Sequence, residues 1–331
     1  MKTPLIATAA ALLTLSGISH AQANVTIYGI VDAGLVRESG GPKGNVTALG
    51  GGVASGSRLG FRGKEDLGSG LSANFLLENG FNSDTGSLGQ GGLLFGRQMY
   101  VGLSGNFGAV RLGRQYSPYY LALRDVADPF AAGLAGRAGN IMATNTRVNN
   151  MINYITPSVG GFFADLAYGL GEVAGDTQQS RTIGAAIGYE QGPAKIKLAH
   201  HQLNNATATD RTKNTLLAAR YKFSLAEGSI GYAVNKGTGA ADSRDFILGV
   251  SIPFGPSRLL GSYIRRDDKT ANNRDAHQWA VGYFYSLSKR TDLYVAYARI
   301  GNDNGAEFKV GNATDTGTGD KAFNLGVRHT F

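Results

Sequence analysis

The chain has no cysteine among its 331 residues. Disulfides, zinc–thiolate sites and thiol nucleophiles are therefore excluded, and packing and backbone hydrogen bonds must supply the stability. Histidine is scarce: the five are His20, His200, His201, His277 and His329. None stands in a pattern that pairs it with a serine or with metal ligands. His200 and His201 are adjacent, so on a strand they point to opposite faces and make a poor metal pair. Nothing supplies a nucleophile with its base and orienting partner, which argues against an enzyme, and no cofactor or metal is expected. Gly50-Gly51-Gly52 runs into Val53-Ala54-Ser55 rather than a Lys-Ser/Thr pair, so it is not a phosphate-binding loop. Long apolar runs are missing too. Beyond the first stretch nothing approaches the ~20 apolar residues of a membrane-spanning helix. A helical membrane protein is excluded; a barrel is not, because only alternate residues of its strands face lipid.

What is present begins with a leader. Met1-Lys2 is basic, Leu5 to Leu15 is mostly apolar, and small residues follow. This reads as a secretory signal peptide over 1–21, with an alternative cleavage after Ala23, and its apolar run is too short for a membrane anchor. Residues 22–331 show no linker or break in composition and read as one domain. With 49 glycines, 8 prolines and 15 tyrosines in the chain, the composition suits many short strands joined by turns. The formal net charge of +8 becomes +7 once Lys2 leaves. A basic excess can indicate nucleic acid, but export argues against that partner and in favour of positive potential inside a pore.

The connections count the strands. Short, turn-rich segments fall at 66–70, 105–108, 157–161, 191–193, 226–228, 253–256 and 288–291, seven in all. Longer polar segments fall at 38–55, 82–92, 116–146, 172–179, 204–212, 236–242, 268–274 and 301–320, eight in all. Short and long alternate strictly, as tight periplasmic turns and longer outer loops do in membrane barrels. Seven and eight connections join sixteen strands, with both chain ends on the periplasmic side.

The strands have period two. Leu59 and Phe61 share one face, while Arg58, Arg62 and Lys64 share the other. Leu71, Ala73, Phe75 and Leu77 oppose Ser72, Asn74 and Glu78, and Lys195 and Lys197 oppose Ile196 and Leu198. In a soluble sandwich the charged face would lie outside, so alternation alone does not orient the sheet. The last stretch settles it together with the leader and the alternation of short and long connections. Phe323, Leu325, Val327 and Phe331 alternate with Asn324, Gly326, Arg328 and Thr330, giving a final strand with one apolar face. A barrel in lipid needs such a strand, because its last strand must pair with its first. Aromatic residues recur near strand ends, at Phe61, Phe81, Tyr154, Phe162, Tyr189, Phe223, Tyr232, Tyr283, Tyr285, Tyr294 and Tyr297. Interfacial girdles would place them there, although β-propensity alone could do the same. The expectation is an all-β protein of the outer membrane, a 16-stranded antiparallel transmembrane β-barrel.

Five strings carry a specific resemblance: 25–34 (VTIYGIVDAG), 57–68 (SRLGFRGKEDLG), 97–103 (RQMYVGL), 112–115 (LGRQ) and 326–331 (GVRHTF). Together, and in this order, they resemble the general porins of Gram-negative bacteria, particularly the trimeric porins of β-proteobacteria, over essentially the whole chain after the leader. The resemblance implies a homotrimer, each subunit with its own water-filled channel for passive diffusion of small hydrophilic solutes and ions. It also implies an inward-folded third loop, here 116–146, that narrows the pore. In that family acidic loop residues face a basic wall. By position Arg58 and Arg114 match the wall arginines, Arg147 matches less closely, and Asp125 and Asp128 match the loop acids. Arg111 and Arg114 cannot share a strand face, and Arg114 is chosen because it directly precedes the loop. Alternation adds Arg62 and Lys64 to the lumen, and Glu78 is a further lining group. Arg137 could reach either the wall or the acids. Ile30 stands where some relatives place a lysine.

Opposed charges across such a gap would order water and orient dipolar solutes, and the positive excess would favour anions, less so at high salt. For each basic residue the plain alternative is a solvated wall charge. The terminal Phe323, Leu325, Val327 and Phe331 resemble the signal read by the outer membrane assembly machinery, although lipid-facing positions are apolar in any case. A trimer interface is expected at the first and last strands, where Gly29, Ala33 and Gly34 are small. Outer-loop acids, Asp176, Asp210, Asp242, Asp267, Asp268 and Asp303, could hold cations that bridge to lipopolysaccharide, or simply be solvated. The rival functions are a substrate-specific channel and an adhesive or structural barrel.

Overall fold

The computed structural model describes residues 24–331. The signal peptide expected over 1–21 and both cleavage positions lie outside the described residues. The strands run Asn24–Ser39 (β1), Val46–Gly51 (β2), Arg58–Gly68 (β3), Leu71–Gly80 (β4), Gln98–Gly105 (β5), Gly108–Tyr116 (β6), Arg147–Ile155 (β7), Phe162–Gly169 (β8) and Thr182–Gln191 (β9). They continue with Ala194–Asn204 (β10), Arg211–Lys222 (β11), Glu227–Lys236 (β12), Asp242–Phe254 (β13), Ser257–Asp268 (β14), Ala276–Ser286 (β15), Thr291–Asn302 (β16) and Lys321–Thr330 (β17).

From β3 onward each strand pairs antiparallel with the next, and β17 returns to β1, with Ile30 opposite Thr330 and Ser39 opposite Lys321. The ring leaves no open edge, as the membrane interior demands. β2 and β3 lie end to end along the other side of β1, against 33–38 and 24–30. They are two halves of one stave, so sixteen staves close the barrel. Six of the seven short turns fall where the sequence places them, and the one expected at 226–228 lies at 223–226 because Glu227 already begins β12. The first outer loop does not: it spans only 40–45, because Val46–Gly51 is strand, and a second break follows at 52–57.

The apolar parity faces outward. Val25, Ile27, Val101, Leu103, Ile187, Leu217, Leu248, Phe323, Leu325 and Val327 are exposed, while their polar neighbours line the interior. Phe107, Phe162, Tyr221, Phe223, Phe254 and Tyr285 stand exposed by the short turns, as an interfacial girdle requires. Tyr294 does not belong to that girdle. It is buried in the lumen and its hydroxyl donates to Asp32 Oδ1 at 2.8 Å.

Gly29 and Gly34 are small for reasons internal to the barrel. A Cβ on Gly34 would meet the Tyr294 hydroxyl at 2.5 Å, and one on Gly29 would meet the Phe331 ring at 2.3 Å. The last residue closes the ladder by exchanging backbone bonds with Gly29 at 3.0 and 3.1 Å. A Gly29→Val variant is therefore expected to displace Phe331 and to lower the fraction of chain that refolds to a heat-modifiable barrel. Unchanged refolding yield on SDS gels would show that this seat has no role in closure.

The third loop, 117–146, turns into the barrel. It opens with a short helix, Pro118–Ala122, capped by Ser117, whose Oγ accepts from the Tyr120 amide at 3.0 Å. Tyr119, Ala122, Leu123, Val126 and Ala127 then bury against inner-wall residues Ala186, Ala199, Leu216, Ala233 and Ile247. Burying a residue such as Leu123 or Val126 contributes about 1.5–3 kcal/mol. Apolar side chains inside a water-filled barrel thus mark the wall that the loop covers.

Candidate functional site: the pore constriction

The inward loop and the facing wall enclose a cavity of about 430 Å³ lined by Arg58, Arg97, Arg124, Arg137 and Arg147, with Ile30, Ser55, Gly56 and Tyr120 among its other walls. Wall and loop are joined by one chain of contacts. Glu78 accepts from the Tyr28 hydroxyl at 2.8 Å and from Arg97 Nε at 2.8 Å. Arg97 Nη2 donates to the Tyr116 hydroxyl at 2.7 Å, and Arg147 Nη2 reaches the same oxygen at 3.2 Å. Arg147 Nε also donates to the Arg97 carbonyl at 2.8 Å. The Tyr116 ring carries the Arg147 and Arg124 guanidiniums at 4.9 and 5.1 Å from its centroid, a stacking that holds like charges close together. Arg124 grips Asp125 through two bonds of 2.6 and 2.9 Å. Arg58 donates from Nε to the Gly56 carbonyl at 3.0 Å.

The expected residues separate into several groups. Arg58 and Arg147 line the constriction, and Glu78 lies beside it. Asp125 stands on the loop, already paired with Arg124. Asp128 does not face the wall. It is buried, and its carboxylate accepts the amides of Phe130, Ala132 and Ala138 at 2.9, 3.0 and 2.9 Å. Burial raises its carboxyl above the ordinary value, against the pull of those three donors. Arg62 and Lys64 line a separate cavity of about 690 Å³ towards the periplasmic turns, together with Arg111, Asn74 and Tyr100.

Arg114 lies on the outer surface. It pairs with exposed Met99 and donates to the Gly96 carbonyl at 2.9 Å, beside Leu93, Leu94 and Leu112. Parity held the information, since Val110, Leu112 and Arg114 share a face; the lumen arginine of this strand is Arg111. An Arg114→Ala channel is therefore expected to keep its reversal potential in a salt gradient, whereas Arg111→Ala moves it towards zero. The opposite pattern would return Arg114 to the pore.

The sequence pattern does not point to Arg97 or Arg124. Arg97 shares parity with Met99 and Val101, which points it to lipid, but it precedes β5, where the backbone turns from the strand path. Arg124 had no signal beyond its place in the loop. Arg137 reaches neither wall nor acids: it bonds Asn140 Oδ1 at 3.1 Å and the Asn312 carbonyl of the last outer loop. Five of the six outer-loop acids have local partners, such as the Gly239 amide for Asp210 and Lys269 for Asp267. No metal-ligand cluster occurs among the described residues.

A closed barrel in lipid, narrowed by an inward loop and lined with charge, defines a transmembrane diffusion channel. The family model described as Gram-negative porin matches residues 7–305. Outer membrane porin protein 32 of Delftia acidovorans is 35% identical, and an outer membrane porin protein of Bordetella pertussis 32%, each over the full length of both chains. An anion-selective porin from Comamonas acidovorans superposes with a TM-score of 0.79 at 32% identity, covering 93% of this chain and 100% of that one. The trimer form of OmpT from Vibrio cholerae, at 16% identity and a TM-score of 0.70, shares the fold. The chain belongs to the Gram-negative porin family. It is an outer membrane porin, a water-filled channel for passive diffusion of small hydrophilic solutes and ions.

Proposed function

We propose that this porin favours anions and that its selectivity arises at Arg58, Arg97, Arg124, Arg137 and Arg147. The carrying observation is charge balance: five guanidiniums surround the cavity, while Glu78 and Asp125 are the carboxylates paired with them. Three positive charges are left over. A unit charge about 6 Å from a passing ion in water contributes about 0.7 kcal/mol, roughly a threefold change in local concentration. Arg62, Lys64 and Arg111 extend the positive potential towards the periplasm, and salt screens it at distances beyond ~10 Å. The similar Comamonas porin, itself called anion-selective, supports the same sign.

The assembled unit in this reading is a homotrimer, as the family resemblance suggests, with the apolar outer band against lipid and lipopolysaccharide. Phe323, Leu325, Val327 and Phe331, exposed together along the final stave, suit recognition by the assembly machinery.

Planar-bilayer conductance of the refolded protein under a potassium chloride gradient tests the proposal. Steps arriving in threes and an anion-signed reversal potential are expected. The anion-to-cation permeability ratio should fall about threefold per charge in Arg58→Ala and Arg147→Ala channels. A cation-signed or zero reversal potential in the unmodified channel would overturn it.

A further inference from the structure

The stave formed by β2 and β3 is broken level with the constriction. β1 pairs with β2 as far as Ala33 and Gly51, and with β3 from Ile30 and Arg58, so residues 52–57 leave the wall and enter the lumen. Backbone amides that leave a ladder inside a barrel must find other acceptors. Here a single side chain accepts three of them. Asp32, fully buried on β1 opposite the break, takes the Val53 amide on Oδ1 at 2.9 Å. Its Oδ2 takes the Ala54 and Ser55 amides at 3.1 and 2.9 Å. The Tyr294 hydroxyl completes the set at 2.8 Å. Two further bonds fix the ends: the Gly52 amide donates to the Asp32 carbonyl at 2.7 Å, and the Asp32 amide donates to the Ser57 side chain at Oγ, at 3.1 Å. Bonds from several donors to one carboxylate are stronger than neutral ones and define a single backbone shape.

The segment held in this way reaches the other inward elements. The Val53 carbonyl accepts the Leu134 amide of the third loop at 2.9 Å and the Ala313 amide of the last outer loop at 3.3 Å. Approach is close enough that a Cβ on Gly133 would stand 1.9 Å from the Ala54 carbonyl oxygen. Ala54, Ser55 and Gly56 line the arginine cavity, and the Gly56 carbonyl receives Arg58 Nε.

We propose that Asp32 is a positioning residue of the constriction: it holds residues 52–57 in the channel as a second narrowing element and, through the Gly56 carbonyl, aims Arg58. A buried carboxylate that never meets the solute then sets pore width and part of the selectivity. The selectivity part rests on the anion-favouring reading above; the width part does not.

The experiment compares wild type, Asp32→Asn, Arg58→Ala and the double variant as refolded full barrels in bilayers. Asp32→Asn should raise single-channel conductance and move the reversal potential towards zero. Added to Arg58→Ala it should move the reversal potential no further, because both act through one side chain. An Asp32→Asn barrel that is less stable but has wild-type conductance and reversal potential would overturn the proposal. A wild-type channel without anion preference would sink the earlier reading yet leave the conductance comparison decisive. Should Asp32→Asn not fold, Ser55→Cys carries the test, since the chain has no other thiol. Complete labelling with an anionic methanethiosulfonate should cut the conductance, and labelling without any change would overturn the proposal.

Discussion

Asp128→Ala is expected to release the inward loop, raising conductance and current noise while the barrel stays folded. The three amides that Asp128 accepts belong to a stretch in which Ala131, Ala132 and Leu134 have positive φ of 49°, 63° and 52°. For residues with a Cβ that conformation costs roughly 1–2 kcal/mol each. Losing the carboxylate leaves donors of the loop unpaired, at about 1–3 kcal/mol for each buried one, and this cost favours release of the loop. Arg220 donates to the Val126 and Asp128 carbonyls at 3.1 Å each, and Ser229 donates to the Ala127 carbonyl at 2.8 Å. Those wall contacts depend on the loop keeping its shape. The ladder of the wall is independent of Asp128, so heat-modifiable migration should persist. Single-channel recording with limited proteolysis at the loop provides the measurement, and unchanged conductance with a protected loop would refute the role given to Asp128.

Arg97→Ala should destabilise the barrel itself. Its side chain is 8% exposed and that of Glu78 is 5% exposed, at 2.8 Å. Solvent screening is slight at such burial, and removing one partner leaves a buried carboxylate with Tyr28 as its remaining side-chain donor. Breaking a buried pair in this way costs about 3–5 kcal/mol. The Tyr116 hydroxyl also loses its donation from Arg97, so wall and loop loosen together. Urea titration of the refolded barrel should show the full loss for Arg97→Ala and a partial recovery when Glu78→Gln is added. Arg97→Gln with Glu78→Gln removes one charge of each sign, so the reversal potential should stay near the wild-type value. A single variant as stable as wild type would show that the pair is solvated in the membrane.

The chain's local pattern determined the barrel. Period-two apolar residues such as Ile196 and Leu198, or Phe323, Leu325 and Val327, mark the lipid face because a charged side chain there is costly. The seven short turns and eight long connections fix the number of staves and the side of each end. Glycine at 29 could be noticed but not explained, since its neighbour Phe331 lies at the opposite end of the chain. The constriction was only half legible. Arg58 and Arg147 follow from position, but Arg97 turns inward where its parity points outward, and Asp128 holds the loop's backbone instead of facing the wall.

Leu216 and Ile247 are apolar on the lumen side beside Leu217 and Leu248 on the lipid side, so alternation vanishes where the loop lies. Such features depend on contacts between residues far apart in sequence, as Arg220 is from Val126 and Asp32 from Tyr294. Periodicity reports which face a residue takes, because that is a property of the strand itself. Which lumen positions are covered, which charges are paired and which carboxylate organises a loop were decided only when the barrel closed and the loops entered it.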